Sequence, residues 1–499
     1  MLLSAFTLTT CAVGPDYKAP EAKVPAAWSG LPAKGVSARS IDIVRWWETF
    51  SDPMLNSLVE RAVASNLDVR IAEARLREAR AARDVTAADL WPNLNSSGTY
   101  SRTHVNTKAS SSGSKAETSS QSQSQPAASA QGQAQTTAKA STTSSAKRPS
   151  SHADLFKAGF DATWELDIFG GVRRSVEAAD ATIGAAREDY RAVIVSLLAE
   201  VALNYADLCG VQRRITITEN NLKTQKDTLE ITQARYDAGL TSKIDVLKAS
   251  AEVAATQSQI PALEALAKRS VHRLGILTGK EPGALLSELS QPRPIPPVPL
   301  EVPVDLPSDL LRRRPDIAAA ERRLAAATAG IGVAVAELFP KFSLTGSFGR
   351  QGEHFRDLRV GSNKTLTYGP EIQWPIFEAG RITANIKVQN ARQEQALGTY
   401  EKAVLTALED VENSLVDYSN EQTRQLSLSE AVTSNLESVT LSRDLYTQGL
   451  TDFLNVLDAQ RALYITQDQL VQSEQKVVTN LIALYKALGG GWEVYSKSE

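Results

Sequence analysis

Three stretches of the chain alternate apolar and polar residues with a period of two. Over 156–168, Phe156, Ala158, Phe160, Ala162, Trp164, Leu166 and Ile168 share one side, and Lys157, Gly159, Asp161, Thr163, Glu165 and Asp167 share the other. Over 365–376, Leu366, Tyr368, Pro370, Ile372, Trp374 and Ile376 oppose Thr365, Thr367, Gly369, Glu371 and Gln373. Phe342, Leu344, Gly346 and Phe348 likewise oppose Lys341, Ser343, Thr345 and Ser347. Successive side chains of a strand point to opposite faces, so each stretch predicts a strand with one apolar face. Elsewhere the pattern is helical. Residues 53–90 are rich in Ala, Arg and Glu and end before Pro92. The pattern at 172–236 contains no proline and predicts roughly 100 Å of helix at 1.5 Å per residue. After Ala238-Gly239-Leu240-Thr241 a helix returns, to about 278. The same order follows later: helix at 308–338 and 381–447, a break at Gln448-Gly449-Leu450-Thr451, then helix to about 488. Gly239 and Gly449 suit a left-handed helix cap that turns the chain into an antiparallel partner. Helices this long are unusual in compact domains and predict a rod or tube.

The recurrence is an internal duplication. Asp68, Ala72, Glu73 and Leu76 return as Asp316, Ala320, Glu321 and Leu324, and LWPNLNSSGTYSR at 90–102 returns as LFPKFSLTGSFGR at 338–350. The offset is 248 in both. Later, Trp164, Tyr190 and Val201 return as Trp374, Tyr400 and Val411, and RYDAGLTSKIDVL at 235–247 returns as LYTQGLTDFLNVL at 445–457. There the offset is 210, so the first copy holds 38 residues more. The excess falls in 106–150, which is almost entirely Ser, Gln, Ala, Thr, Gly and Lys. Such a segment buries too little apolar area to offset its ordering entropy, and it reads as a low-complexity expansion of one loop. The divisions are then a remnant of a signal peptide at 1–10, an extended tether at 11–52, a first repeat at 53–290, a Pro-rich linker at 291–307, a second repeat at 308–490 and a tail at 491–499.

Strands of about ten residues with apolar-out, polar-in alternation are the pattern of an outer-membrane barrel. Two per copy give four, whereas about eight is the smallest barrel. Open strand edges in lipid leave unpaired backbone groups that cost several kcal/mol each. Strands in a membrane therefore require oligomerisation, and three protomers give twelve strands around a polar lumen. No run approaches the roughly 20 uncharged apolar residues of a membrane helix, because 191–211 is interrupted by Glu200, Asn204 and Asp207.

Composition removes other classes. The chain has 499 residues, 54 basic and 57 acidic, and its net charge of −3 gives no electrostatic case for nucleic acid. Two cysteines, Cys11 and Cys209, make neither a disulfide framework nor a zinc site, and His104, His152, His272 and His354 are scattered. Cys209 sits in an apolar helix stripe and reads as packing. HExxH, CxxC and G-x-S-x-G are absent. Gly275-Ile-Leu-Thr-Gly279-Lys280 falls short of a P-loop, its glycines one residue too close and Glu281 in place of Ser or Thr. The expectation is no enzyme, no cofactor and no bound metal. The apolar, small-residue stretch 1–10 followed by Leu8-Thr9-Thr10-Cys11 reads as the end of a lipoprotein signal, with Cys11 as the thiol that takes the lipid, although no Lys or Arg precedes it. The rival reading is a soluble periplasmic coiled-coil adaptor or scaffold, which has no use for Trp-bearing alternating strands.

The chain resembles the TolC-like outer-membrane factor family, in its lipoprotein branch of OprM- and NodT-like proteins. The resemblance is carried by Cys11-Ala-Val-Gly-Pro-Asp-Tyr-Lys-Ala-Pro20, by Trp46-Trp47-x-x-Phe50-x-Asp52-Pro53-x-Leu55, by Trp164-Glu-Leu-Asp-Ile-Phe-Gly170, by Leu306-Pro-Ser-Asp-Leu-Leu-x-Arg-Arg-Pro-Asp316, by Asp458-Ala-Gln-Arg461 and by Leu484-Tyr-Lys-Ala-Leu-Gly-Gly-Gly-Trp492. It implies a mainly α protein with membrane β: long helical hairpins forming a periplasmic α-barrel, and four strands per protomer in a trimeric twelve-stranded barrel. It also implies a homotrimer in outer-membrane lipid that passes small molecules outward, docked to a periplasmic adaptor and an inner-membrane pump. Asp458 and Asn455 match the family's two acidic aperture positions, the latter being Asn in this chain. Asp245 and Tyr446 match its tip lock, with Thr451 where TolC has an arginine. Gly239, Leu240 and Thr241, with Gly449, Leu450 and Thr451, match the tips that meet the adaptor.

Overall fold

A computed structural model describes residues 12–21, 24–28, 36–37, 43–104, 152–298, 302–303, 307–359 and 364–495. Cys11 and the low-complexity segment 106–150 lie outside the described residues. The chain divides into two compact units. One is helical and includes Asp167–Pro340 and Trp374–Glu499; the other comprises Asp89–Leu166 and Lys341–Gln373.

The helical unit holds α1 (Pro53–Ser65), α2 (Leu67–Ala88), α3 (Gly171–Asp237), α4 (Lys243–Leu277), α5 (Pro307–Arg313), α6 (Pro315–Ala336), α7 (Arg381–Thr447) and α8 (Phe453–Ala487). The duplication is carried through at full length: α3 and α7 each have 67 residues, α4 and α8 each 35. The helix α3 packs against α4, α6 and α8, and α7 packs against α6 and α8.

Two helices expected as single pieces are each broken in two. The predicted helix at 53–90 divides at Asn66, whose backbone leaves helical geometry. Its N–H closes α1 on the Ala62 carbonyl, and its Oδ1 accepts from the N–H groups of Asp68 and Val69 to start α2. Its Nδ2 donates to the Leu277 carbonyl at 3.0 Å, pinning the joint to the end of α4. The predicted helix at 308–338 divides at Arg314, which precedes Pro315 and is extended there.

The core joins distant parts of the chain. Trp46, Trp47 and Phe50 are buried with Leu55 and Leu58 of α1, Ile194, Leu198, Tyr205 and Cys209 of α3, Tyr418 of α7 and Leu481, Leu484 and Tyr485 of α8. Trp46 stacks on Tyr485 at 5.3 Å. The apolar stretch of α3 around 191–211, interrupted by Glu200, Asn204 and Asp207, is mostly buried within the protein. It is the core strip of this unit. Cys209 lies in it, fully buried, and burial pushes its thiol up to about 12, so it packs as a small apolar side chain.

The expected tether is extended at its start but is fastened down. Val13 N–H donates to the Phe169 carbonyl, and the guanidinium of Arg174, almost fully buried, donates to the Val13 carbonyl, to Asp16 at 2.6 Å and to Glu177 at 2.7 Å. Gly14 has φ +93°, and a Cβ there would stand 2.5 Å from Gly332 Cα, so only glycine allows this approach. Further on, Trp28 is buried, and 43–50 forms a short helix carrying Trp46, Trp47 and Phe50 into the core.

The sheet unit is an antiparallel sheet of β1 (Asn93–His104), β2 (His152–Leu166), β3 (Lys341–Gly352) and β4 (Lys364–Gln373), in the order β1-β2-β3-β4. Its register keeps the apolar positions together: Phe160 lies opposite Phe348, Trp164 opposite Leu344, Phe348 opposite Leu366 and Phe342 opposite Ile372. Phe160, Leu344, Phe348, Leu366, Tyr368 and Ile372 are all exposed. Ile168, Trp374 and Ile376, expected in strands, lie beyond their ends. In this unit Trp164 Nε1 donates to the Leu90 carbonyl at 2.9 Å; in the helical unit its repeat partner Trp374 donates to the Leu338 carbonyl at 3.1 Å. Within the described sheet, β1 and β4 each have one partner only.

Candidate functional site

The two hairpin turns are built alike. Gly239 and Gly449 have φ +73° and +78°. Their N–H groups donate to the Tyr236 and Tyr446 carbonyls, and the N–H groups of Leu240 and Leu450 reach back to the carbonyls of Arg235 and Leu445, all at 2.8–3.0 Å. This pairing satisfies the last carbonyls of α3 and α7 and reverses the chain. It leaves Leu240 and Leu450 exposed, with Ile244 and Leu454 one turn on and Leu247 two. The predicted tips therefore present apolar side chains, while Thr241 and Thr451 face inward to their own turns. Thr241 Oγ1 donates to Asp245 Oδ2 at 2.7 Å, and Thr451 Oγ1 accepts from Asn455 Nδ2 at 2.7 Å.

Within one chain, Asp245 and Tyr446 do not meet. The carboxylate of Asp245 is engaged by its own turn, accepting from Thr241, from Ser242 Oγ at 3.1 Å and from Ser242 N–H as part of a capping box. Partial burial raises its pKa, but the hydrogen bonds from Thr241 and Ser242 outweigh that and hold it below the ordinary carboxylate range. Tyr446 instead belongs to a small core with Ala249, Phe453, Val456 and Leu457, and its hydroxyl is buried without a partner.

Beside the turns, a polar contact between the hairpins is made by Arg235, which no sequence motif marks. Arg235 of α3 donates to the carbonyls of Tyr446 and Thr447 at 2.8 and 3.1 Å, and its guanidinium lies 4.7 Å over the Tyr446 ring. A cation on the last carbonyls of α7 complements the negative end of that helix, and its place over the ring adds a cation–π term. The second repeat has Leu445 where the first has Arg235, and that difference in the aligned turns was the available signal.

On α8 the motif Asp458-Ala-Gln-Arg461 distributes its side chains to different partners. Gln460 is buried and donates to Thr228 Oγ1 of α3 at 2.8 Å. Arg461 pairs with Glu252 of α4 at 2.6 Å. Asp458 and Asn455 remain exposed, three residues apart on one face. Between α3 and α8 the polar series continues with Asn221–Gln467 at 2.9 Å and Arg214–Asp468 at 2.6 Å. Among the described residues no group of His, Cys, Asp and Glu is arranged to hold a metal.

Comparison with known proteins decides the family. Residues 58–280 and 306–490 match the outer membrane efflux protein family, one segment in each repeat. The chain belongs to the outer membrane efflux protein family. It is 31% identical to nodulation protein T of Rhizobium leguminosarum bv. trifolii, over 98% of this chain and 97% of that protein. It is 34% identical to the pyoverdine export outer membrane protein OpmQ of Pseudomonas aeruginosa, over 94% and 91%. Among solved structures it resembles the outer-membrane channel OprN with a TM-score of 0.83 and 35% identity, covering 97% of this chain and all of that one. An efflux protein of this family is an outer-membrane channel that extends into the periplasm and serves tripartite efflux. Members of the family are channels, not enzymes. Here the exposed apolar sheet face supplies the membrane surface, and the paired long helices supply the periplasmic part.

Proposed function

We propose that the chain works as a homotrimer: three four-stranded sheets close one twelve-stranded barrel, and three pairs of helical hairpins close a tube leading to it. The observation that carries this reading is the sheet with one exposed apolar face and, among the described residues, one unpaired edge at each end. Such edges are tolerated in lipid only when a neighbouring copy pairs them. The trimer is a passive conduit that carries out no reaction and binds no cofactor; it passes drugs or other toxic small molecules delivered by an inner-membrane pump through a periplasmic adaptor. Selection among compounds then belongs to the pump. The adaptor meets the turns at Gly239-Leu240-Thr241 and Gly449-Leu450-Thr451, six similar tips per trimer, through their exposed leucines. Asp458 from three copies forms a ring at the periplasmic aperture that attracts cations and repels anions, with Asn455 one turn before it. Asp245 and Tyr446 act as a tip lock only across a boundary between copies; inside each copy Arg235 does that work. Cys11 carries the lipid anchor, and the segment fastened by Arg174 follows it directly.

Two measurements test this. The detergent-solubilised protein is expected to migrate as a trimer that heat converts to monomer, and to give discrete single-channel conductance in planar bilayers. A monomer soluble without detergent overturns the proposal.

A further inference from the structure

One row of the sheet departs from the apolar face on which it lies. Gly98, Ala158, Arg350 and Lys364 are lateral partners across all four strands, so their side chains leave the sheet on the same side as Phe160 and Leu366. The adjacent row toward the helix-bearing strand ends is Ser96, Phe160, Phe348 and Leu366. On the other side stand Tyr100 and Phe156, ring centroids 4.7 Å apart. Small residues beside Phe160 and Phe348 leave a shallow notch of about 530 Å³, lined on this side by Ser96, Gly98, Ala158, Phe160, Phe348 and Arg350 over the backbone of Ser97, Gly159 and Gly349, with Lys364 one strand beyond Arg350. A Cβ added to Gly98 would meet nothing within 4 Å, so the floor of the notch is open.

The charges at its rim are unusual. Arg350 and Lys364 lie directly opposite each other on neighbouring strands. Like charges so placed are destabilising, and more so beside an apolar band, where the effective dielectric is lower than in water. Among the described residues neither pairs with a carboxylate; Arg350 gives one N–H to the Leu358 carbonyl at 2.8 Å. Arg102, four residues nearer the loops than Gly98 on β1, by contrast has Asp154 at 3.4 Å. Two uncompensated cations beside an aromatic-walled apolar notch, at the edge of a lipid-facing surface, fit an amphiphile with an anionic head. The row lies toward the strand ends that carry the β1–β2 and β3–β4 loops, away from those that lead into helices.

We propose that this row binds a phosphate-bearing lipid of the outer leaflet. The phosphate bridges Arg350 and Lys364 by charge-assisted hydrogen bonds, and an acyl chain lies in the notch over Gly98 and Ala158, between Phe160 and Phe348. The assignment rests on the outer-membrane placement of the sheet with its loop ends outward.

The test uses the full-length protein in detergent and, as probes, lipid A carrying its phosphates and the same lipid after enzymatic dephosphorylation, with binding read by native mass spectrometry. The parent is expected to bind the phosphorylated form at least about tenfold more tightly. Arg350→Gln and Lys364→Gln each remove most of that preference and leave binding of the dephosphorylated form unchanged, while Ala158→Leu fills the notch and weakens both forms. Inorganic phosphate at millimolar concentration does not displace the lipid. Equal binding of the two lipid forms, indifference to both substitutions, or displacement by inorganic phosphate overturns the proposal. Thermal melting adds a sign. Without lipid Lys364→Gln raises Tm by relieving the like-charge pair, and phosphorylated lipid raises Tm in the parent only; a lower Tm for Lys364→Gln counts against the site. Heat-modifiable migration reports that each variant folds. If the outer-membrane reading itself fails, the parent binds neither lipid form and shows no heat-modifiable trimer, an outcome distinct from phosphate-independent binding.

Discussion

Arg235 shows how one side chain distinguishes two copies of the same turn. It ties the end of α7 to α3 through two carbonyls and the Tyr446 ring. Replacing it by leucine, the residue of the second repeat, is expected to cost about 1–2 kcal/mol, lowering Tm and raising the frequency of channel openings in planar bilayers; unchanged gating would confine Arg235 to a packing role. Asp458 is placed differently, because its neighbours Gln460 and Arg461 are engaged by α3 and α4 while it is left exposed. Asp458→Ala is therefore expected to leave the unfolding free energy within about 0.5 kcal/mol of the parent and to reduce cation over anion selectivity in single-channel recordings. A third residue sets acid stability. Burial pushes Asp316 up, but the hydrogen bonds and charge of Arg314 outweigh it, so its folded pKa lies below the unfolded value. Its contribution is complete above the unfolded value of about 3.9 and is lost as pH falls through the lower folded one. Thermal melting from pH 6 down to pH 3 is expected to fall more steeply in the parent than in Asp316→Asn. These roles were unevenly legible. Asp458 is singled out by its motif and its aperture role is a proposal, whereas Arg235 shows only when the two turns are laid side by side, and the bonds that occupy Asp245 depend on turn geometry that its residue type does not disclose.

At the scale of elements, what could be read was whatever had a period or a punctuation mark. The ends of α3 and α7 were placed to within a residue because Gly239 and Gly449 sit where a positive φ is required. Strand faces followed from strict alternation, which the register then kept in phase across four strands. The breaks at Asn66 and Arg314 were missed for a physical reason: helical periodicity runs through both, and the breaks depend on partners far along the chain, such as the Leu277 carbonyl for Asn66. The fastening of residues 12–17 was hidden likewise, since its partners are Phe169, Arg174, Glu321 and Gly332. Proline and glycine content announces an extended segment and says nothing of what holds it. Arg174→Ala is expected to free this segment without unfolding the helices. Limited trypsin digestion at Lys18 should then be at least several-fold faster while circular dichroism is unchanged, and equal cleavage rates would show that the buried guanidinium does not hold the segment.

For the whole molecule the decisive quantity is which way the sheet faces, because membrane insertion, the lumen and assembly of copies all depend on it. Both faces of β4 are solvent-exposed in a single chain, so exposure alone cannot separate lipid from lumen: Tyr368 is 78% exposed, and Thr367 beside it is exposed too. The sequence pattern separates them, since Tyr368 shares its face with Phe160, Leu344 and Ile372 while Thr367 shares its face with Asp161, Ser347 and Glu371. A charge therefore has opposite consequences at two adjacent residues. Tyr368→Arg places a guanidinium in the apolar band and is expected to cost about 2–4 kcal/mol in each copy, seen as a lower temperature of conversion from trimer to monomer and poorer recovery in the outer-membrane fraction. Thr367→Arg places the same charge toward water, leaves the trimer intact and shifts ion selectivity toward anions. Equal losses from the two substitutions would mean that the sheet does not divide lipid from lumen, and would remove the reason for three copies to close a barrel.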